Sequence, residues 1–278
     1  MMREWMCASM ADGKAAPKYS LALSEQERGR FRMMAASAAD NEAAEWEAAG
    51  ITAGARVADI GCGPGAVLQL LAETVGPRGV AQGIDADPET VEMANEEIAA
   101  FPHARASVGQ ADATGLPAAS FDVVMCRLVL AHNGGREQAI VDHLASLVVP
   151  GGCVYLADVD FPSSRSVGTR DRDVDDLIER WSEFHAARGS DPEVGLHLGD
   201  LLMRAGLVVE RFVCRAPVIR MPPGMRPAAW AAVDAMIAEG FATQGDKERW
   251  AAGLARLDSA AERPWTFIAS FVALGRRH

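Results

Sequence analysis

The stretch from Arg56 to Gly65, Arg-Val-Ala-Asp-Ile-Gly-Cys-Gly-Pro-Gly, constrains the fold of this chain more than any other. A short apolar run ends in Gly61, Gly63 and Gly65, and an apolar, helix-forming segment follows from Ala66 to Leu71. The pattern predicts a strand, a tight turn free of side chains, and a helix start. Such a turn lets the backbone approach a ligand closely and directs free N–H groups at it.

Two ligands satisfy the spacing. Gly61, Gly63 and Ala66 fit the loose dinucleotide pattern, with Asp85 at the end of the next strand where an acid reads ribose hydroxyls. Asp59, two residues before the first glycine, opposes that reading, because a carboxylate there sits poorly beside a pyrophosphate and well beside a cationic amino group.

Around this turn, strands and helices alternate. Strands are expected over 56–60, 80–84, 104–108, 121–126 and 153–157, and helices over 67–75, 88–100 and 136–147. Asp87-Pro88-Glu89 is a good helix start, with proline at the first helical position and an acid at the positive end of the dipole. Alternation of this kind implies parallel strands with helices on both faces. Upstream, Ser24 and Glu27 form a capping box that opens a helix running to Ala49 and stopped by Gly50. Downstream, a helix over 195–205, a strand over 207–213 and a final strand over 265–274 complete the core. The stretches 160–191 and 217–263 have no place in that core and carry helical patches at 174–187 and 227–239.

The order Val-Ala-Asp-Ile-Gly-Cys-Gly-Pro-Gly resembles the first motif of the class I S-adenosylmethionine (SAM) dependent methyltransferases. Gly83-Ile84-Asp85-Ala86, Gln110-Ala111-Asp112-Ala113, Ser120-Phe121-Asp122 and Val149-Pro150-Gly151-Gly152 are similar to the motifs that follow in that family. The resemblance covers 56–213 and the last strand. It implies a Rossmann-like, seven-stranded mixed α/β sheet with an antiparallel last strand. It also divides the chain: an N-terminal arm and helix (1–50), a SAM-binding core (51–159), a lid insertion (160–191), a core helix and strand (192–216), a second lid insertion (217–263) and the last strand (264–278). The arm and both insertions are expected to form a largely helical lid.

The same resemblance assigns the cofactor, SAM. Asp59, Gly61, Gly63 and Gly65 form its cradle, Asp85 accepts from the ribose, and Ala86 packs on adenine. Asp112 accepts from the adenine amino group, and the Ala113 N–H meets a ring nitrogen. Arg127 stands in the loop under the methionine part. Tyr19 and Arg30 are similar to a Tyr and an Arg that close over SAM, with Arg30 a bidentate partner for its carboxylate.

On the acceptor side, His132 is the expected base, because imidazole titrates near neutrality, with His185 and His197 behind it. Many relatives carry Glu-His where this chain has Ala131-His132. Tyr19, His132, Trp181, Phe184, Trp230 and Phe241 are the expected acceptor pocket. The Asn-Pro-Pro-Tyr signature of DNA and protein-amide methylation is absent.

Composition narrows the partners. The formal net charge is −11 and lysine occurs only at Lys14, Lys18 and Lys247, so no basic stripe is available for phosphates and a nucleic-acid substrate is not expected. The five cysteines are widely spaced, without a disulfide or metal-ligand pattern. No apolar run approaches the ~20 residues that span a bilayer. These features point to a cytoplasmic protein with a small-molecule partner; the resemblance implies an enzyme for a small, largely apolar metabolite of the natural-product kind, with the arm a candidate for exchange in a homo-oligomer. An NAD-linked oxidoreductase and a non-catalytic SAM-binding regulator are the alternatives.

Overall fold

The computed structural model describes residues 25–220 and 222–278. Its centre is an open sheet in which β1 (Arg56–Ile60), β2 (Val80–Asp85), β3 (Ala104–Val108), β4 (Phe121–Arg127) and β5 (Val148–Val167) run parallel. With β6 (Val208–Arg215) and β8 (Trp265–Arg276) the strand order is β3-β2-β1-β4-β5-β8-β6, and β8 is antiparallel to both neighbours. The expected mixed sheet with an inverted last strand is therefore present. An eighth strand, β7 (Val218–Ile219), adds a two-residue pairing to β8.

Helices cover both faces. α2 (Ala43–Ala49), α3 (Ala66–Val75) and α4 (Pro88–Glu97) enclose one core, built on Val57, Leu68, Leu71, Met125 and Tyr155. α5 (Glu137–Leu147) and α7 (Val194–Arg204) enclose the other, built on Ile60, Val124, Ile140, Leu144 and Leu198. Strands buried on both faces read as continuous apolar runs, as β1 and β4 do. Asp87 caps α4 as the sequence predicts, accepting from the Glu89 N–H and the Thr90 hydroxyl.

Three elements depart from expectation. The helix expected to run to Ala49 breaks at Glu42 into α1 (Glu25–Asn41) and α2. The break places Glu42, only 4% exposed, beneath α2, where its carboxylate accepts from Arg127 (2.7 and 3.3 Å) and from the Tyr155 hydroxyl. Glu45, one turn on, is likewise buried and takes Arg211 and Arg215 of β6. Two buried acids thus bind the N-terminal segment to the sheet.

β5 is the second departure: it runs far past residue 157, pairing β8 up to Val167↔Trp265 with a register shift between Asp160 and Arg165. The start of the first insertion is therefore sheet, and the β5–β8 ribbon carries the helices beyond it. Third, that helical layer contains α6 (Arg172–Ala187), α8 (Ala228–Ala231), α9 (Val233–Ala238) and α10 (Gln244–Ser259). The patch expected over 227–239 is split at Ala232, and α10 lies outside the helical patches the sequence predicts. This layer has a core of its own, with Leu177, Phe184, Val233, Met236 and Trp250 at its centre.

Candidate active site

The carboxyl ends of the parallel strands open into one cleft of about 1480 Å³ between the sheet, α1 and the helical layer. In open α/β sheets this is where ligands bind. Of the residues expected to hold the cofactor, Arg30, Asp59, Gly61, Gly63, Asp85, Ala86 and Arg127 line it, as do His132 and Trp181 from the expected acceptor side. Tyr19 lies outside the described residues.

The glycine turn is organised differently from the simple anion cradle. Gly61 and Cys62 donate their N–H groups to the Ile84 carbonyl (2.7 and 3.0 Å), Gly63 donates to Asp85 Oδ2 (2.9 Å), and Gly65 to the Cys62 carbonyl (3.2 Å). These donors are spent inside the protein, so the turn has little to offer a pyrophosphate. What it offers instead is room. Gly63 adopts φ +53°, and a Cβ there would meet nothing within 4 Å on the cleft side of the turn. Gly65 serves packing: a Cβ would approach Ala94 Cα of α4 to 2.9 Å, and this residue does not line the cleft.

Asp85 is locked by the same turn, Oδ2 accepting from Gly63 and Oδ1 from the Asp87 N–H (3.1 Å). Burial pushes its carboxyl above the usual range while these N–H groups pull it back. Asp59 is more strongly perturbed. It is 2% exposed, its Oδ2 makes no hydrogen bond within the protein, and burial lifts its pKa to about 7, offset in part by the charge of Arg127. A buried carboxylate in this state is satisfied best by a cation. The Arg127 guanidinium does not supply it, because Glu42 holds that group in an ion pair of 2.7 Å.

The adenine-side expectations require correction. The Ala113 N–H already donates to the Gln110 carbonyl (3.0 Å), closing a small turn, so it is not free for a ring nitrogen. Asp112 is forked by Arg136 (2.6 and 3.3 Å), which holds its carboxyl below the usual range. Neither residue lines the cleft; Gly109, Gln110 and Ala111 do. A signal was available in the sequence, since a cation at the start of a helix is disfavoured by the dipole unless an acid meets it, and Arg136 stands there.

The acceptor side also divides. Trp181 faces the cleft in edge contact with Phe161 (centroids 5.0 Å) and His185 (4.8 Å). Phe184, Trp230 and Phe241 do not: they pack in the core of the helical layer, where Phe184 meets Phe241 edge-on at 5.4 Å. His197 is exposed on α7, away from the cleft. His132 sits on a 3₁₀ turn (Leu130–His132) with its ring 5.2 Å from that of His185. Burial and Arg188 lower the His132 pKa, and burial with the neighbouring His132 takes His185 to about 4. Both imidazoles are therefore neutral at pH 7. Wall residues not anticipated include Phe161, Ile178, Met225 and Ile268.

A family model described as a methyltransferase domain matches residues 51–197, more than half of the chain. The chain belongs to the methyltransferase family. An aklanonic acid methyltransferase of Streptomyces sp. (strain C5) is 45% identical to it over 74 residues, 26% of this methyltransferase and 34% of that one. An uncharacterized 37.1 kDa protein in transposon TN4556 of Streptomyces fradiae is 29% identical over 162 residues, 58% of this chain and 46% of that protein. The methyltransferase thus spans less than half the length of each of these curated relatives. Among solved structures, a putative methyltransferase of Bacillus halodurans matches with a TM-score of 0.56 at 17% identity, over 84% of this chain and 97% of that one. A SAM dependent methyltransferase of Aquifex aeolicus matches with a TM-score of 0.52 at 15% identity, over 90% of this chain and 98% of that one. The fold is that of the class I, SAM-dependent enzymes. The residues present fit SAM as the cofactor: an open glycine cradle, a buried acid lacking a cation, and a second acid at the end of β2. No described helix is long and apolar enough to cross a membrane.

Proposed function

We propose that this chain transfers the methyl group of SAM to an O, N or C atom of a small, largely apolar acceptor held beneath the helical layer. The observation that carries the reading is the continuous cleft of about 1480 Å³, larger than the ~300–1,000 Å³ usual for one ligand. It has room for two. One end is lined by Asp59, Gly61, Gly63, Asp85 and Ala86, the other by Phe161, Ile178, Trp181 and Ile268.

SAM supplies a methyl group made electrophilic by its sulfonium. The protein's own residues then have to bind, orient and exclude water. In this assignment Asp59 meets the amino group, Asp85 the ribose, Gln110 and Ala111 flank the adenine, and Arg30 on α1 serves the carboxylate. The helical layer, the lid in this reading, holds the acceptor in line with the donor, and positioning of that kind contributes up to ~7–11 kcal/mol. For a hydroxyl acceptor, His132 takes the proton, and its neutral imidazole is in the form that can accept one. For an electron-rich carbon no base is needed for attack, and the Trp181 and Phe161 rings face the developing charge. The stretch shared with aklanonic acid methyltransferase favours an acceptor from natural-product biosynthesis.

Calorimetric titration and label transfer test this together. S-adenosylhomocysteine should bind at micromolar concentration and NAD should not, and label from methyl-labelled SAM should pass to members of a panel of aromatic and aliphatic metabolites. Donor binding with no transfer to any panel member would leave the regulatory reading standing instead.

A further inference from the structure

We infer that Glu42, on the N-terminal segment and outside every motif, is a positioning residue that keeps Asp59 available to the donor's amino group. The inference rests on the reading that Asp59 meets that group. Three observations carry it. Arg127 and Asp59 both line the cleft, on adjacent strands (Ile60 pairs Cys126), and each feels the other's charge. Glu42 nevertheless takes the guanidinium through both Nη2 and Nε, and the Tyr155 hydroxyl fixes the same carboxylate from behind. Asp59, buried among the same elements, has no ion-pair partner among the described residues, and its Oδ2 makes no hydrogen bond.

The chemistry is a competition for one cation. A buried arginine requires a carboxylate, and two buried carboxylates are within its influence. Because Glu42 satisfies it with a fork, Asp59 stays uncompensated and gains most from a cationic ligand. The bidentate geometry matters, since guanidinium and carboxylate match as planar forks. Without the charge on Glu42, Arg127 has reason to turn to Asp59, and the donor's ammonium would then have to displace it. Donor affinity is in this way coupled to the break between α1 and α2.

The test compares two ligands: S-adenosylhomocysteine, which carries the amino-acid half, and 5′-methylthioadenosine, which lacks it. Glu42→Gln should raise the Kd of S-adenosylhomocysteine about tenfold and leave that of 5′-methylthioadenosine within twofold, a ratio that a merely structural lesion would not move. On an Asp59→Asn background Arg127 has no second carboxylate to turn to, so adding Glu42→Gln there should weaken S-adenosylhomocysteine by less than about twofold further. Equal weakening of both ligands, no change in either, or a further tenfold loss on the Asp59→Asn background overturns the inference. Should Glu42→Gln alone not fold, Glu42→Asp decides, since it keeps the charge and shortens the reach of the fork; an unchanged ratio of the two ligands' Kd values in it counts against Glu42. Asp59→Asn separates the two levels. If it leaves S-adenosylhomocysteine affinity unchanged, the assignment of Asp59 fails and the inference with it; if it weakens binding tenfold while Glu42→Gln does nothing, only the role of Glu42 fails.

Discussion

The two ends of the cleft are built on opposite principles. At the end we assign to the donor, groups are fixed by backbone: the Gly61–Gly65 turn is tied to Ile84 and Asp85, and the acids stand at the ends of β1 and β2. At the end we assign to the acceptor, the wall is made of side chains on a helical layer with its own small core, connected to the sheet by the β5–β8 ribbon. Main-chain geometry leaves few ways to build the first. Many sequences can pack the second. The donor end should therefore survive damage to the helical layer, whereas the acceptor end should not.

The largest effect should come from that small core. Trp250 is fully buried in it and donates its indole N–H to Asp176 (2.8 Å), so Trp250→Ala removes both a large apolar volume and a half-buried hydrogen bond. Substitutions of this kind cost ~3–5 kcal/mol. The layer should lose protection in hydrogen exchange and turnover should collapse, while S-adenosylhomocysteine binds within a few-fold of normal. Loss of donor binding as well would mean that the two ends are one cooperative unit.

Asp85→Ala is the mirror experiment. It removes the acid that both locks the turn and serves the ribose in our assignment, and donor affinity should fall by ~1.5–3 kcal/mol, the usual worth of hydrogen bonds to a charged group. Hydrogen exchange in α6 and α10 should be unchanged. Unaltered affinity by calorimetry removes the ribose assignment.

This contrast also explains what could be read before the fold was known. β1 and β3 have the predicted bounds, and Asp59, Gly61, Gly63, Asp85 and Ala86 line the cleft, because a strand-turn-helix with alternate glycines admits one backbone path. The failures are long-range. Nothing near Arg127 announces Glu42, and although Arg136 at a helix start signals that an acid must meet it, nothing in the chain says that the acid is Asp112; each carboxylate's partner is chosen by the tertiary fold. Phe184, Trp230 and Phe241 belong to the core and not to the cleft wall, a distinction the sequence does not carry because an aromatic on a helix reads the same whether it faces a ligand or a core. α10 did carry a local signal, the Thr243–Asp246 capping box, but with Asp in place of the usual Glu or Gln.

A pH titration sharpens the donor end alone. Asp59 is raised to about 7 by burial, so it is ionised above that pH and protonated below it. A protonated carboxyl cannot pair with an ammonium, and binding must then expel the proton. The affinity for S-adenosylhomocysteine should be highest near pH 8, below the range in which the ligand's own ammonium loses its proton, and fall about tenfold between pH 8 and pH 6. The affinity for 5′-methylthioadenosine should not follow it, and Asp59→Asn should abolish the dependence. A profile that rises on acidification would contradict the assignment.

The smallest effect is expected where the helical layer looks most heavily bonded. Arg256 meets Asp171 at 2.7 and 2.9 Å and Asp173 at 2.6 Å, and Arg249 reaches Asp173, Asp176 and Asp246, all at the solvent-facing junction of α6 and α10. Ion pairs in water contribute little, because each charge exchanges good hydration for its partner and salt screens what remains. Arg256→Ala should therefore leave the melting temperature unchanged within error and move the acceptor KM less than about twofold. If it instead reproduces the Trp250→Ala phenotype, charge and not packing holds the acceptor end together. High salt should then mimic the substitution in the unsubstituted protein, a result that packing alone cannot give, since salt strengthens apolar burial or leaves it unchanged.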